Sequence, residues 1–176
     1  IGGVVAHHGV GPATHLVTTA LIAGLLAVLV TGGMLPASAD VDTGDAAPAR
    51  PRGILLTLGT MAFCVLLGEG AMADWSALYL RDVTGATPGA AAAGYAAFSL
   101  AMATGRFAGD ALTLRFGALP LVRGGGVLAA LGLGVALIVG SSWAAIIGFG
   151  AVGAGFSVAF PLMLARAGSL PGTTPG

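Results

Sequence analysis

Two carboxylates interrupt an otherwise apolar run. The segment LLGEGAMADWSALYL, residues 66–80, holds Glu69 and Asp74, and Gly68 and Gly70 lie on either side of the glutamate. Five residues of helix correspond to about 140° of rotation, so a regular helix would not present both carboxylates on one face. The pair therefore does not match the two facing acids of a glycoside hydrolase, and nothing else of such a site is present.

The composition indicates what surrounds these charges. The chain has 176 residues, of which 56% are hydrophobic and 8% charged. A soluble domain carries roughly 25% charged residues, and a soluble chain of this composition would expose very large apolar patches. The net charge is zero, which leaves no basic surface for nucleic acid. The sequence predicts an all-α, polytopic membrane helix bundle.

Five stretches are long enough to span a membrane, since a helix needs about 20 apolar residues to cross roughly 30 Å of hydrocarbon. The predicted spans are 14–35, 53–78, 89–110, 118–140 and 142–166. Residues 1–9 are predicted to be the end of a further helix, which makes them one partial span. We therefore expect the sequence to be a fragment of a longer protein.

The distribution of arginine predicts the orientation. Residues 36–52 are rich in Pro, Ala and Asp and predict a flexible aqueous linker. If the spans alternate in direction, only Arg81 falls on one side of the membrane. The other six arginines fall on the opposite side: Arg50, Arg52, Arg106, Arg115, Arg123 and Arg166. Because cytoplasmic loops carry the excess of basic residues, the linker is predicted to be cytoplasmic.

The same orientation places His7, His8 and the loop 81–88 outside. Adjacent histidines are poorly arranged for a metal site on a helix, and the single cysteine, Cys64, lies in an apolar run. We therefore expect no metal and no cofactor. The sequence also shows no clustering of nucleophiles with acids or histidines inside the spans, so an enzyme is not expected.

The turn after the third span, GRFAGDALTLRFG, resembles the loop motif of the major facilitator superfamily. The matching positions are Gly105, Arg106, Gly109, Asp110, Arg115 and Gly117. The segments GEGAMADWSALYLRD and GYAAFSLAMATGRFAGD are similar to the seventh and eighth helices of the fucose-permease-like branch of inner-membrane transporters. GFGAVGAGFSVAFPLMLARAG is similar to the tenth helix of that branch.

This resemblance implies a piece of a twelve-helix fold, from the end of helix five to helix ten. Residues 1–35 would end the N-terminal half, 36–52 would be the central cytoplasmic linker, and 53–176 would begin the C-terminal half. The implied function is secondary-active transport of a small solute across the inner membrane by alternating access, with proton coupling. Its partners would be that solute, protons, the lipid bilayer and the missing helices of the same chain.

The substrate stays open. The branch suggests a sugar or another small polar solute, and export of a drug or metabolite fits the sequence as well. The alternative to transport is a structural remnant or a subunit of a helix bundle that does not itself transport.

Glu69 is the first candidate for substrate or proton binding. It lies about 24 Å along its helix from Gly53, which predicts a position in the outer half of the membrane. A charge within the bilayer costs about 2.5–3.5 kcal/mol on insertion scales, so such a group faces a cavity or a partner. Burial disfavours the charged form and makes Glu69 a candidate proton carrier. The alternative is a structural hydrogen bond to a neighbouring helix.

Four further residues are candidates for the transport path. Asp74 is next to Trp75 near the outer surface, where an outer-gate hydrogen bond, hydration or a substrate role are all open. Tyr95 and Ser99 lie on a face with Arg106, where they either line a polar path or bond to neighbouring backbone. Phe156 precedes Pro161 in a glycine-rich span that predicts a kinked helix.

The motif around Asp110 is the candidate cytoplasmic gate. Asp110 would end its helix, where the helix dipole disfavours an anion, so it needs a partner. Arg106, Arg115 or the N-terminus of an adjoining helix would serve. The resemblance implies a latch made in one access state and broken in the other, and the alternative is an ordinary interfacial salt bridge. The small residues Ala97, Ala101, Gly105 and Gly109 are typical of a close helix contact.

Overall fold

The computed structural model describes residues 11–31 and 53–169, and the regular structure in these ranges is helical. The helices are α1 Pro12–Thr31, α2 Gly53–Asp82, α3 Pro88–Phe116, α4 Ala118–Val139, α5 Ser142–Phe156 and α6 Ala159–Gly168. Predictions about residues 1–9, His7, His8 and the linker 36–52 with Arg50 and Arg52 lie outside the described residues. The predicted all-α class of a membrane bundle is confirmed.

Within residues 11–31 and 53–169, three segments are long and apolar enough to cross a membrane. They are Gly53–Asp82, Ala118–Val139 and Ser142–Gly168, and they correspond to the predicted spans 53–78, 118–140 and 142–166. The predicted span 89–110 lies in α3, which carries Arg106, Asp110 and Arg115 and is not among these segments. In α1 the apolar segment Leu16–Leu26 is shorter than a span.

The chain divides into two compact units, residues 1–47 and 48–176. The first unit contains α1, whose leucine side chains Leu16, Leu21 and Leu29 are exposed. The Thr18 hydroxyl donates to the Thr14 carbonyl at 2.8 Å, which satisfies a polar group without any partner from another helix. The second unit contains α2 to α6 and all the packing described below.

Two short connections in the second unit have clear start and stop signals. Pro88 opens α3, and the Thr87 hydroxyl accepts from the Ala90 amide at 3.4 Å. Helix α4 ends at Gly140, whose φ of 62° is left-handed, and α5 begins after Ser141, whose hydroxyl accepts from the Ala144 amide at 3.3 Å. These tight turns make successive helices antiparallel neighbours.

Helix α5 forms the centre of this unit. It packs along both α3 and α4, while α3 and α4 touch each other little. Glycines permit the approach: a Cβ on Gly125 would overlap the Gly155 carbonyl, and one on Gly148 would overlap the Gly132 carbonyl. Without a strong hydrophobic drive between helices in lipid, close backbone contact of this kind supplies the packing energy.

The predicted stripe of small residues on α3 faces α5 and the segment after it. A Cβ on Gly105 would meet the Ser157 side chain, and one on Gly109 would lie 3.2 Å from Val158. Ala97 lies within van der Waals reach of a Cβ on Gly150. The stripe is therefore a packing surface.

The last span is interrupted where the sequence predicts a kink. Helix α5 ends at Phe156 and α6 begins at Ala159. Pro161 has no amide hydrogen, so the Ser157 carbonyl loses the donor that would continue the helix. The buried Ser157 hydroxyl instead donates to the Ala154 carbonyl at 2.7 Å. The interruption therefore follows from the proline.

Candidate functional site

Glu69 of α2 and Arg106 of α3 form an ion pair between the two helices. The Arg106 Nη2 donates to Glu69 Oε1 at 3.4 Å, and the side chains are 48% and 24% exposed respectively. Glu69 lies close to the middle of α2, a helix of 30 residues. The pair thus places two opposite charges part-way along an apolar bundle, far from either end of α2.

The sequence assigned these two residues to different levels, Glu69 to the outer half of the membrane and Arg106 to the cytoplasmic gate. Helix α2 is about 45 Å long at 1.5 Å per residue, which exceeds the hydrocarbon thickness. The position of Glu69 across the bilayer stays a prediction, because a helix of this length fits the bilayer at more than one height. Because an arginine side chain is long and extends along an apolar surface, Arg106 also reaches away from its own backbone.

An aromatic side chain packs against α2 at the residue that precedes Glu69. The Phe156 ring, at the end of α5, lies against the backbone of α2 at Gly68, where any side chain would collide with it. The same ring packs with Val65 and Met163. The sequence predicted that the glycines around Glu69 let another group approach, and the group that approaches Gly68 is Phe156.

The other candidates for the transport path lie apart from the pair. Ser99 and Tyr95 are on the same face of α3 as Arg106, but about 10 and 16 Å away along the helix axis. Tyr95 stacks on Phe98 with ring centroids 5.9 Å apart. Asp74 is exposed, as is its neighbour Trp75. The structure therefore brings together Glu69 and Arg106, with Phe156 against the neighbouring Gly68, and not the full predicted set.

Asp110 is exposed, and within the described residues its carboxylate forms no ion pair. Arg106 is engaged by Glu69, and the Arg115 guanidinium lies 5.3 Å from the centroid of the Phe116 ring. A cavity of about 60 Å³ borders Asp110, Thr113 and Pro161. Arg106 also lines this cavity but is paired with Glu69, and Arg115 does not line it. The first turn of α6 is therefore the remaining one of the three partners predicted for Asp110.

Two polar contacts at the opposite end of the unit were missed by the sequence analysis. The Tyr79 hydroxyl donates to the Ala136 carbonyl at 3.1 Å, and the Thr84 and Ser142 hydroxyls lie 2.8 Å apart. These contacts join α2 and its following turn to α4 and α5. Nothing in the sequence pairs residues more than 50 positions apart, so no signal was available to predict them.

In residues 11–31 and 53–169, no three His, Cys, Asp or Glu side chains lie together as metal ligands would. The ionisable side chains that the described residues bring together form two pairs of opposite charge, Glu69 with Arg106 and Asp82 with Arg81. Only the first joins two helices.

Comparison with known proteins gives these features a context. The chain is 34% identical, over 177 aligned residues, to an MFS-type transporter of Yersinia pestis, and the match covers 96% of the chain and 46% of that relative. These data support membership of the major facilitator superfamily.

Two further relatives are named as a transporter and as a membrane protein. Transporter y4wD of Sinorhizobium fredii is 33% identical over 153 residues, covering 86% of the chain and 40% of the relative. Membrane protein MosC of Rhizobium meliloti is 34% identical over 116 residues, covering 66% and 28%. No family model and no solved structure matches the chain. The chain spans less than half the length of each of these relatives. Their names, together with the three apolar helices, support a multi-pass membrane protein.

Proposed function

We propose that this chain is part of a secondary-active transporter that moves a small solute by alternating access and couples that movement to protons. Residues 1–35 would end the first helical half, 36–52 would form the cytoplasmic linker and 53–176 would begin the second half. The observation that carries the proposal is the ion pair between Glu69 and Arg106, part-way along two apolar helices.

The physical argument for a function is the free-energy cost of placing this charged pair inside a membrane. Charged residues inside a membrane are expensive and normally face a water-filled path or one another. Glu69 and Arg106 face one another as an ion pair, and their side chains remain 24% and 48% exposed. Protonation of Glu69 would remove its charge and release Arg106, so proton binding and the state of this path are coupled. A purely structural contact would be better served by two apolar side chains.

The proposed path extends from the pair along α3. Ser99 and Tyr95 follow Arg106 on the same helical face, and Phe156 bounds the path beside Gly68. Asp74 would act nearer the outer surface. Hydroxyl and aromatic groups around a charged pair suit a small polar solute such as a sugar. The excess of arginine on one side favours an inner-membrane protein with the linker in the cytoplasm.

The test uses the full-length native protein in proteoliposomes with an imposed pH gradient and a panel of small polar solutes. We expect at least one solute to accumulate only while the gradient persists, with a protonophore abolishing the accumulation. If no solute is moved under any gradient although the protein is inserted, the alternative applies. The bundle would then be a structural remnant or a subunit that does not itself transport.

The gate proposal concerns Asp110 and the first turn of α6. The partial positive charge at a helix N-terminus stabilises a nearby anion by about 0.3–1 kcal/mol, or up to roughly fivefold in an equilibrium. Asp110→Asn should therefore shift the full-length protein by up to about fivefold toward the cytoplasm-open state. Distances between spin labels on the two halves would measure this shift.

Asp82→Asn is the control for Asp110→Asn, since Asp82 is an exposed carboxylate paired with its neighbour Arg81 at the other end of the unit. We expect Asp82→Asn to leave the distribution of states unchanged. An Asp110→Asn protein with the same distribution as wild type would contradict the latch and leave an ordinary surface carboxylate.

A further inference from the structure

A groove of about 400 Å³ runs between α3 and α4, with α5 as its floor. It exists because both helices pack on α5 but touch each other little. Its walls are Leu112 and Phe116 of α3 and Leu121 and Leu128 of α4, and its floor includes Ala154 and Val158. Leucine, phenylalanine and alanine make this surface apolar, and about half of Phe116 and Leu128 remains exposed.

The groove differs from the proposed transport site and from the gate cavity. On α3, Leu112 and Phe116 lie at least about 120° around the helix from Asp110. An apolar groove open on the surface of a membrane helix bundle offers contact to hydrocarbon. Two kinds of occupant suit such a groove, a lipid or another helix.

The mouth of the groove carries an uncompensated positive charge. Arg115 ends α3, and its guanidinium is held 5.3 Å from the centroid of the Phe116 ring, the same ring that lines the groove. Within the described residues Arg115 forms no ion pair. A transmembrane helix that filled the groove would present apolar residues here, whereas this apolar groove lies beside an exposed cation.

Lipid has the matching chemistry. An acyl chain fits an apolar groove, and a guanidinium binds phosphate oxygens through a planar fork of donors. The contact of Arg115 with Phe116 places the cation beside a ring that lines the groove, so headgroup and chain can be recognised together. The arginine excess that predicts a cytoplasmic location for this end also matches the leaflet that carries anionic lipid.

We propose that the α3–α4 groove binds one acidic phospholipid, with an acyl chain between Leu112, Phe116 and Leu128 and the phosphate at Arg115. This site uses neither Glu69 nor Arg106; Arg115 belongs to the predicted gate motif but forms no ion pair with Asp110 in the described residues. It would hold α3 and α4 at a fixed separation on the surface of α5.

The test is native mass spectrometry of the full-length protein with phosphatidylglycerol or phosphatidylcholine of identical acyl chains. Arg115→Gln removes the cation, and Arg123→Gln is its control, since Arg123 is an exposed arginine that does not line the groove. Gly124→Leu fills the groove, because a Cβ on Gly124 meets nothing within 4 Å. Gly134→Leu, equally open and outside the groove, is its control.

We expect the wild-type protein to bind phosphatidylglycerol about fivefold more tightly than phosphatidylcholine, as one basic residue near a membrane surface provides. Arg115→Gln should lose this preference, and Gly124→Leu should lose binding of both lipids, while the two controls behave as wild type. Equal binding of both lipids by the wild type would overturn the proposal. So would unchanged binding by Gly124→Leu, which would show that the groove is not the site.

Discussion

Uptake driven by a pH gradient is expected to fall at least tenfold when Glu69 of the full-length protein is replaced by glutamine, while insertion into the membrane is unchanged. Glutamine has the shape of glutamate but cannot bind and release a proton. It also cannot hold Arg106 as an ion pair, which the glutamate does at 3.4 Å. A tenfold loss corresponds to about 1.4 kcal/mol, within reach of one charged interaction. Proteoliposome uptake with and without the gradient is the measurement.

The double variant Glu69→Gln/Arg106→Gln separates transport from structure. Removing one partner of a pair leaves an uncompensated charge, whereas removing both does not. If the pair is only structural, the double variant should regain both stability and uptake. If Glu69 carries the proton, the double variant should regain stability alone. Normal gradient-driven uptake by Glu69→Gln itself would exclude the proton-carrier role.

Gly153→Ala is expected to lower the stability of the helix bundle by about 1–3 kcal/mol, the usual cost of overpacking. Gly153 lies on α5 against the backbone of α3, and a Cβ there would overlap the Phe98 carbonyl. Backbone cannot rotate away as a flexible side chain can, so the two helices must separate. Unfolding of the full-length protein by SDS in mixed micelles, followed by circular dichroism, would measure the change.

Gly150→Ala is the matched control for Gly153→Ala. Gly150 lies one turn earlier on the same helix and faces the same neighbour, but its Cβ would lie 3.9 Å from Ala97, an ordinary contact. Alanine is favoured over glycine in a helix by about 1 kcal/mol, so Gly150→Ala should be neutral or stabilising. Equal destabilisation by the two substitutions would show that helix separation is not the cause.

Most of the fold was predictable, because helix starts, stops and apolar lengths are local properties. A helix start is marked by Thr87 and Pro88 and a helix end by Gly140, and these signals can be read from the local sequence alone. The break near Ser157 was also predictable, since the chemistry of Pro161 fixes it within one turn. Helix α3 shows the limit of such reasoning. It is a 29-residue helix, but its charged residues lower its hydropathy, so helix length and apolar character do not agree there.

The site was less predictable, because it depends on which helices meet and at what height. The sequence identified both Glu69 and Arg106 but gave them separate roles, since no local pattern shows which side chains meet across two helices. It named three partners for Asp110 and had no means to choose among them. Contacts such as Tyr79 to Ala136 depend on register between distant helices, which no local pattern encodes.

The turn between α4 and α5 has a consequence for biogenesis. The two helices are separated by only Gly140 and Ser141 and meet through glycines along most of their length. Closing so short a loop costs little entropy, and pairing needs no other helix. We therefore expect this hairpin to assemble first after insertion, with α2 and α3 joining a partner that is already formed. Substitutions that disrupt the packing of α4 on α5 should then cause degradation during synthesis. Disruptive substitutions in α2 should instead yield protein that is inserted but inactive.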